Sequence, residues 1–152
     1  MNHLNLPSFE YDINKNAKGQ LTIFDITRKK HIILTPEEWV RQHFIQYLKN
    51  HLQYPVGHIK TESGITINKR KKRTDVIVYN KVGQPYIIIE CKSFEIHLNE
   101  NTLLQATFYN SRLNCPFLCI TNGMVHYYFQ NINLNWVRIN ELPKYNLQNE
   151  LS

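Results

Sequence analysis

Three residues have the types and spacing for chemistry on an oxygen-rich anion. Asp75 is followed 15 positions later by Glu90, and Lys92 comes two positions after that, at the end of the run YIIIECKSF. Two carboxylates held close together repel and raise each other's pKa unless a cation sits between them. A divalent ion such as Mg²⁺ takes oxygen ligands of this kind. A protonated lysine cannot be a ligand. Beside such an ion, however, it can orient a nucleophile and stabilise charge developing on a phosphate. An Asp, a turn and then Glu-X-Lys on one strand is a set suited to metal-dependent phosphodiester hydrolysis.

That chemistry needs a scaffold that brings the residues together. Strand alternation puts Tyr86, Ile88, Glu90 and Lys92 on one face and Ile87, Ile89 and Cys91 on the other. Three consecutive isoleucines place this strand in the interior of a sheet. The preceding strand, TDVIVYN, opens on Asp75, and a hairpin through NKVGQP would set Asp75 beside Glu90. Upstream, TPEEWVRQHFIQYLKNHL has helical periodicity at Val40, Phe44, Tyr47, Leu48 and Leu52, with Thr35, Pro36 and Glu38 as N-cap, N1 and N3 of a capping box. HIKTESGITI reads as a strand, LNENTLLQATFYNSRL as a second helix, and PFLCI and MVHYYF as strands joined through an Asn-Gly turn. Helix, three strands, helix, two strands predicts an α/β (α+β) fold, a mixed sheet flanked by helices. The chain divides into an N-terminal extension with short strands (1–34), a core (35–140) and a C-terminal tail (141–152), all within one domain.

Composition narrows the class. The chain has 152 residues and a net charge of +6, with 42% hydrophobic and 20% charged residues, enough for one continuous core. No run approaches the roughly 18 apolar residues of a membrane span, and the N-terminus lacks the pattern of a secretion signal. The expectation is a cytoplasmic protein with no membrane partner. Its three cysteines, Cys91, Cys115 and Cys119, read as reduced, buried thiols, and its seven histidines are too scattered for a metal set. Five of the basic residues form one run, Lys69, Arg70, Lys71, Lys72 and Arg73. It reads either as a solvated turn before a strand or as a loop contacting the phosphates of a polyanion.

The order Asp75, Glu90, Lys92 after an N-terminal helix resembles the PD-(D/E)XK nuclease superfamily. The ordered segments IFDITRKKHIILTPEEWVRQHFIQYL, KKRTDVIVYN, IIIECKSF, LLQATFYN and LCITNG resemble the N-terminal nuclease domain of type I restriction enzyme R subunits, in a short stand-alone bacterial form. The resemblance covers roughly residues 20 to 130. It implies a restriction-endonuclease-like fold and a Mg²⁺-dependent DNA endonuclease, with Mn²⁺ as a possible substitute. By it Asp75 and Glu90 bind the metal, the backbone carbonyl of Cys91 completes the coordination, and Lys92 is catalytic. Gln105 and Tyr109, four apart on the second helix, match a Q-X-X-X-Y motif that positions nucleic acid or the catalytic residues. A third acidic ligand would be Glu62 or Glu38. Thr74 stands where the superfamily has Pro. No G-X-X-X-X-G-K-[ST] motif occurs, so the expectation is a form without the ATP-driven motor, acting on DNA alone or with other restriction-system subunits. The alternative is a non-cleaving nucleic-acid-binding or assembly module on the same fold.

Overall fold

The computed structural model describes the backbone of residues 1–67, 70–110 and 114–147 and, within them, the side chains other than those of 62–67, 70–75, 109 and 147. Nine strands and two helices follow in the order β1 (Ile13–Lys15), β2 (Leu21–Asp25), β3 (Lys30–Ile33), α1 (Pro36–Asn50), β4 (Ile59–Ile67), β5 (Arg70–Tyr79), β6 (Pro85–Cys91), α2 (Glu100–Asn110), β7 (Phe117–Thr121), β8 (His126–Ile132) and β9 (Asn135–Ile139). The first three form a small antiparallel sheet. The other six form a mixed sheet in the order β4-β5-β6-β7-β8-β9. The α+β architecture is therefore the restriction-endonuclease-like one that the sequence predicts.

β6 is the centre of this arrangement, antiparallel to β5 and parallel to β7. A parallel partner needs a long crossover, and α2 supplies it. Burial of both strand faces creates two cores. Ile87, Ile89 and Cys91 pack with Val40, Phe44 and Leu48 of α1, while Ile88 packs with Leu98, Ala106, Leu118 and Ile120 under α2. The alternation breaks at one point. Val78 pairs with Ile87 but Tyr79 pairs with Pro85, so Tyr86 is an extra residue in a bulge. The bulge turns the Tyr86 ring onto Phe117, within the α1-side core rather than on the face of Ile88.

α1 begins where its capping residues predict, with the Thr35 hydroxyl accepting from the Glu38 N–H at 3.1 Å. The second half of the capping box is replaced. The Glu38 carboxylate accepts from Arg28 Nη2 at 2.8 Å and Gln42 Nε2 at 2.9 Å, and pairs with Arg41. An arginine is a stronger partner for a covered carboxylate than a backbone N–H. The helix is buried at every position from Glu38 to Ile45, because the N-terminal segment covers Trp39 and His43 through Asn2, Phe9 and Tyr11 while Asp25 of β2 meets Gln42.

Asp25, at the end of β2, ties the two sheets together. It is fully buried and accepts from Thr27 Oγ1 at 2.6 Å, Arg28 Nε at 2.6 Å and Gln42 Nε2 at 3.0 Å. Thr27 in turn meets Thr61 of β4 at 3.1 Å. The N-terminal segment closes the same core, with Leu4 buried against Gly123 in the β7–β8 turn. Gly123 has φ +86, and an added Cβ would come within 3.0 Å of Leu4, so glycine is required there for both backbone and space. The sequence reading missed two strands, β1 and β9. β9 follows a turn at Asn133 and Leu134 with φ of 51 and 68.

Asp25 also makes stability depend on pH. Burial pushes its carboxyl up, but the hydrogen bonds from Thr27, Arg28 and Gln42 outweigh that and hold it below its ordinary value of 3.8. A depressed folded value stabilises the protein fully above the unfolded value, and that contribution is lost as pH falls through the folded one. Asp25→Asn should cost about 3 kcal/mol at pH 7, because Arg28 loses a buried partner. It should also flatten the loss of stability below about pH 4. Urea unfolding followed by tryptophan fluorescence at both pH values checks this.

Candidate functional site

The ladder around β6 decides which chemical residues meet. The β5–β6 ladder reaches Val76 paired with Ile89, and the same register carried one step further brings the Asp75 backbone opposite Glu90. On the other side of β5, Glu62 falls between the pairs Thr61–Val76 and Ser63–Thr74, opposite Asp75. Residues directly opposite in antiparallel strands share a face. Continued through these positions, the two registers bring the backbones of Glu62, Asp75 and Glu90 to neighbouring places on β4, β5 and β6. The side chains of Glu62 and Asp75 lie outside the described residues.

Ile88, two residues before Glu90, belongs to the core under α2, so Glu90 rises on the α2 side where the dry part of the strand ends. Its carboxylate is 13% exposed and holds Lys92 Nζ at 3.2 Å on Oε1. Oε2 accepts from Asn110 Nδ2 at 3.3 Å. The Lys92 ammonium is 31% exposed, and its backbone N–H is anchored to the Thr121 carbonyl at 2.8 Å. These contacts account for a carboxylate and an ammonium at the end of an isoleucine run. Each charge partners the other, and both sit where the sheet opens to solvent.

Cys91 points the other way, into the α1-side core, and is 1% exposed. Its side chain is remote from Glu90. Its backbone lies between Glu90 and Lys92, in register with Thr121. The other two thiols are buried as well, and burial pushes Cys115 up to about 12.

α2 covers this face. Ala106 and Asn110 are buried toward the sheet, and the Thr107 carbonyl accepts from Trp136 Nε1 of β9 at 3.0 Å. Trp136 marks the flank of α2 that looks toward β9. Gln105, two residues before Thr107 on α2, is exposed. Tyr109 lies one turn later on α2, and its side chain is outside the described residues. Glu38 is not part of this assembly. It is buried on α1, across the sheet from Glu90, and its carboxylate is engaged by Arg28, Arg41 and Gln42.

The basic run differs from both sequence readings in its backbone. Arg70 to Arg73 is part of β5, paired with Ile67 to Gly64 of β4, rather than a turn. The pairing partner in β4 makes the strand favourable despite four successive cations. Lys69 and the side chains of Arg70, Lys71, Lys72 and Arg73 lie outside the described residues. Sequence reasoning missed Asn110, which lies within the segment read as the second helix and carries no motif of its own.

Residues 36–143 match the family described as the type I restriction enzyme R protein N terminus (HSDR_N). The match covers well over half of the chain, and the chain belongs to that family. Among curated proteins none matches it. Among the described residues, no helix is long and apolar enough to cross a membrane, and no three His, Cys, Asp or Glu residues form a metal-holding group. Of the three neighbouring acidic residues, Glu90 is the one whose side chain is described.

The Glu90–Lys92 pair sits at the edge of the core, so its removal should leave the protein folded. Lys92→Ala should cost at most about 1 kcal/mol, as expected for a partly exposed ion pair. Glu90→Ala should cost about 1–3 kcal/mol, because the buried Asn110 amide loses its acceptor. Circular dichroism spectra and urea midpoints of the two variants test both figures.

Proposed function

We propose that this domain is a Mg²⁺-dependent DNA endonuclease of the restriction type. The observation that carries the reading is the strand register that brings the Asp75 backbone opposite Glu90, with Lys92 Nζ 3.2 Å from Glu90 at the open end of β6. Family membership supports a role in a restriction system, with DNA as substrate and other restriction subunits as partners.

The donor set fits a hard divalent cation. Carboxylates from adjacent strands, with the Cys91 carbonyl between Glu90 and Lys92, are oxygen ligands of the type Mg²⁺ takes, and Mn²⁺ accepts the same set. When bound, the ion supplies Lewis acidity at the phosphate. Asp75 and Glu90 hold it, with Glu62 as the third carboxylate, since its backbone neighbours Asp75 and Glu38 lies across the sheet. Lys92 leaves Glu90 for the incoming phosphate and places its positive charge beside the scissile group. Gln105 and Tyr109, one turn apart on α2, contact the strand being cut. Arg73 is two residues from Asp75 along β5, about 7 Å at strand spacing. The run Lys69 to Arg73 thus leads away from the acidic residues and offers phosphate contacts with little sequence preference.

One observation favours a second reading. Glu90 is already neutralised by Lys92 and held by Asn110, as it would be in a binding or assembly module that keeps the fold without cutting. Plasmid and single-stranded DNA incubated with Mg²⁺, with Mn²⁺ and with chelator separate the two. The nuclease should cut with either ion and stop with chelator, and Glu90→Ala and Lys92→Ala should each lower the rate at least about 100-fold. Absence of cutting under every condition, with DNA binding intact in both variants, leaves the binding module. Chelator-resistant cutting excludes the metal mechanism.

The basic run gives a separate expectation. Replacing Lys71, Lys72 and Arg73 by Gln should weaken binding to all DNA sequences and reduce the slope of log affinity against log salt by about 2–3. Fluorescence anisotropy over a salt series measures it, and an unchanged slope returns the run to a solvated strand.

A further inference from the structure

Asn110 is 2% exposed, in the last turn of α2, and the described core on that face includes Ile88, Ala106, Leu118 and Ile120. A buried amide in such a place is costly unless its groups are satisfied. Its NH₂ group has two donors, and the structure uses both. One goes to the Ala106 carbonyl at 2.7 Å, which aligns the amide along its own helix. The other goes to Glu90 Oε2 at 3.3 Å.

Resting on the nuclease reading above, we propose that Asn110 is a positioning residue that fixes the Glu90 carboxylate in the orientation in which it holds a divalent cation. Lys92 grips Oε1 and Asn110 grips Oε2, so rotation of the carboxylate about its last bond is blocked from both ends. The two grips differ in kind. Lys92 is charged, partly exposed and free to turn to a phosphate, whereas Asn110 is neutral, buried and tied to α2. When Lys92 turns away, the Asn110 contact remains, and it orients Glu90 without cancelling the negative charge that attracts the ion. Such outer contacts to a ligand are worth about 10–100-fold in metal affinity. Through Asn110 the same helix that carries Gln105 and Tyr109 also sets the ligand geometry.

The test is Mn²⁺ binding in the absence of DNA, followed by electron paramagnetic resonance or calorimetry, for the wild type, Glu90→Ala, Asn110→Leu, Asn110→Ala and Asn110→Gln. Urea denaturation of each gives the folded fraction. Asn110→Leu and Asn110→Ala should bind Mn²⁺ about 10-fold or more weakly per folded molecule. Asn110→Gln keeps the donor and should recover part of the loss, and metal-free DNA binding should be unchanged in all three. Should Asn110→Leu fail to fold, the alanine and glutamine variants carry the comparison. If the wild type binds Mn²⁺ and Glu90→Ala does not, while the Asn110 variants lose only stability, Asn110 is a helix anchor and this proposal is overturned alone. If the wild type binds no Mn²⁺, the metal reading of the site falls, and the positioning role falls with it.

Discussion

The structure depends on β6 being dry on both faces for most of its length. A strand in that position cannot be an edge, so it must have ladder partners on both sides and a layer over each face. β5 and β7 are the partners. α1 and α2 are the layers, and each receives alternate isoleucines from the same strand. The parallel pairing with β7 requires the crossover that contains α2, so the second helix is a consequence of the strand it covers. Where the dryness stops, at Glu90, the same alternation that produced two cores delivers a carboxylate to the α2 side and a thiol to the α1 side.

A polar frame anchors the layer on the far side of the sheet. Asp25, Arg28, Glu38, Arg41 and Gln42 form a covered network that joins the small sheet to α1, and Thr27 extends it to β4. Paired charges of this kind add little net stability over apolar packing, but losing one member leaves the others unsatisfied. The network therefore fixes how the N-terminal sheet sits on the helix. It also occupies Glu38 completely, and the candidate for a third acidic ligand becomes Glu62, which the β4–β5 register sets beside Asp75.

The candidate site divides into parts held with different firmness. Glu90 is held by a lysine on its own strand and by an asparagine on the covering helix. The backbone of Asp75 follows the strand register, which is strongly specified where Val76 and Val78 are buried in the α1-side core. α2 is positioned by Trp136 from β9, at the far side of the sheet. A helix near the site is thus aimed by a residue remote from it.

The sequence by itself determined the elements whose signals are local. Thr35 and Pro36 mark the start of α1, the isoleucine run marks the central strand, the NKVGQP turn marks the β5–β6 hairpin, and the family resemblance rests on those ordered segments. Each depends on residues within a few positions of one another, where propensity, capping and turn chemistry act. What only the tertiary structure decided was everything set by distant partners. β9 forms because β8 offers a ladder, although its own half-exposed residues and its Asn-Leu turn gave no clear strand signal. Glu38 left its capping partner because an arginine ten residues upstream in the chain reached it. Asn110 faces Glu90 because α2 is pinned across the sheet, and Tyr86 changes face because one extra residue in β6 had to be absorbed. Pairing and burial act between segments far apart in the chain, and no local pattern encodes which of them will meet.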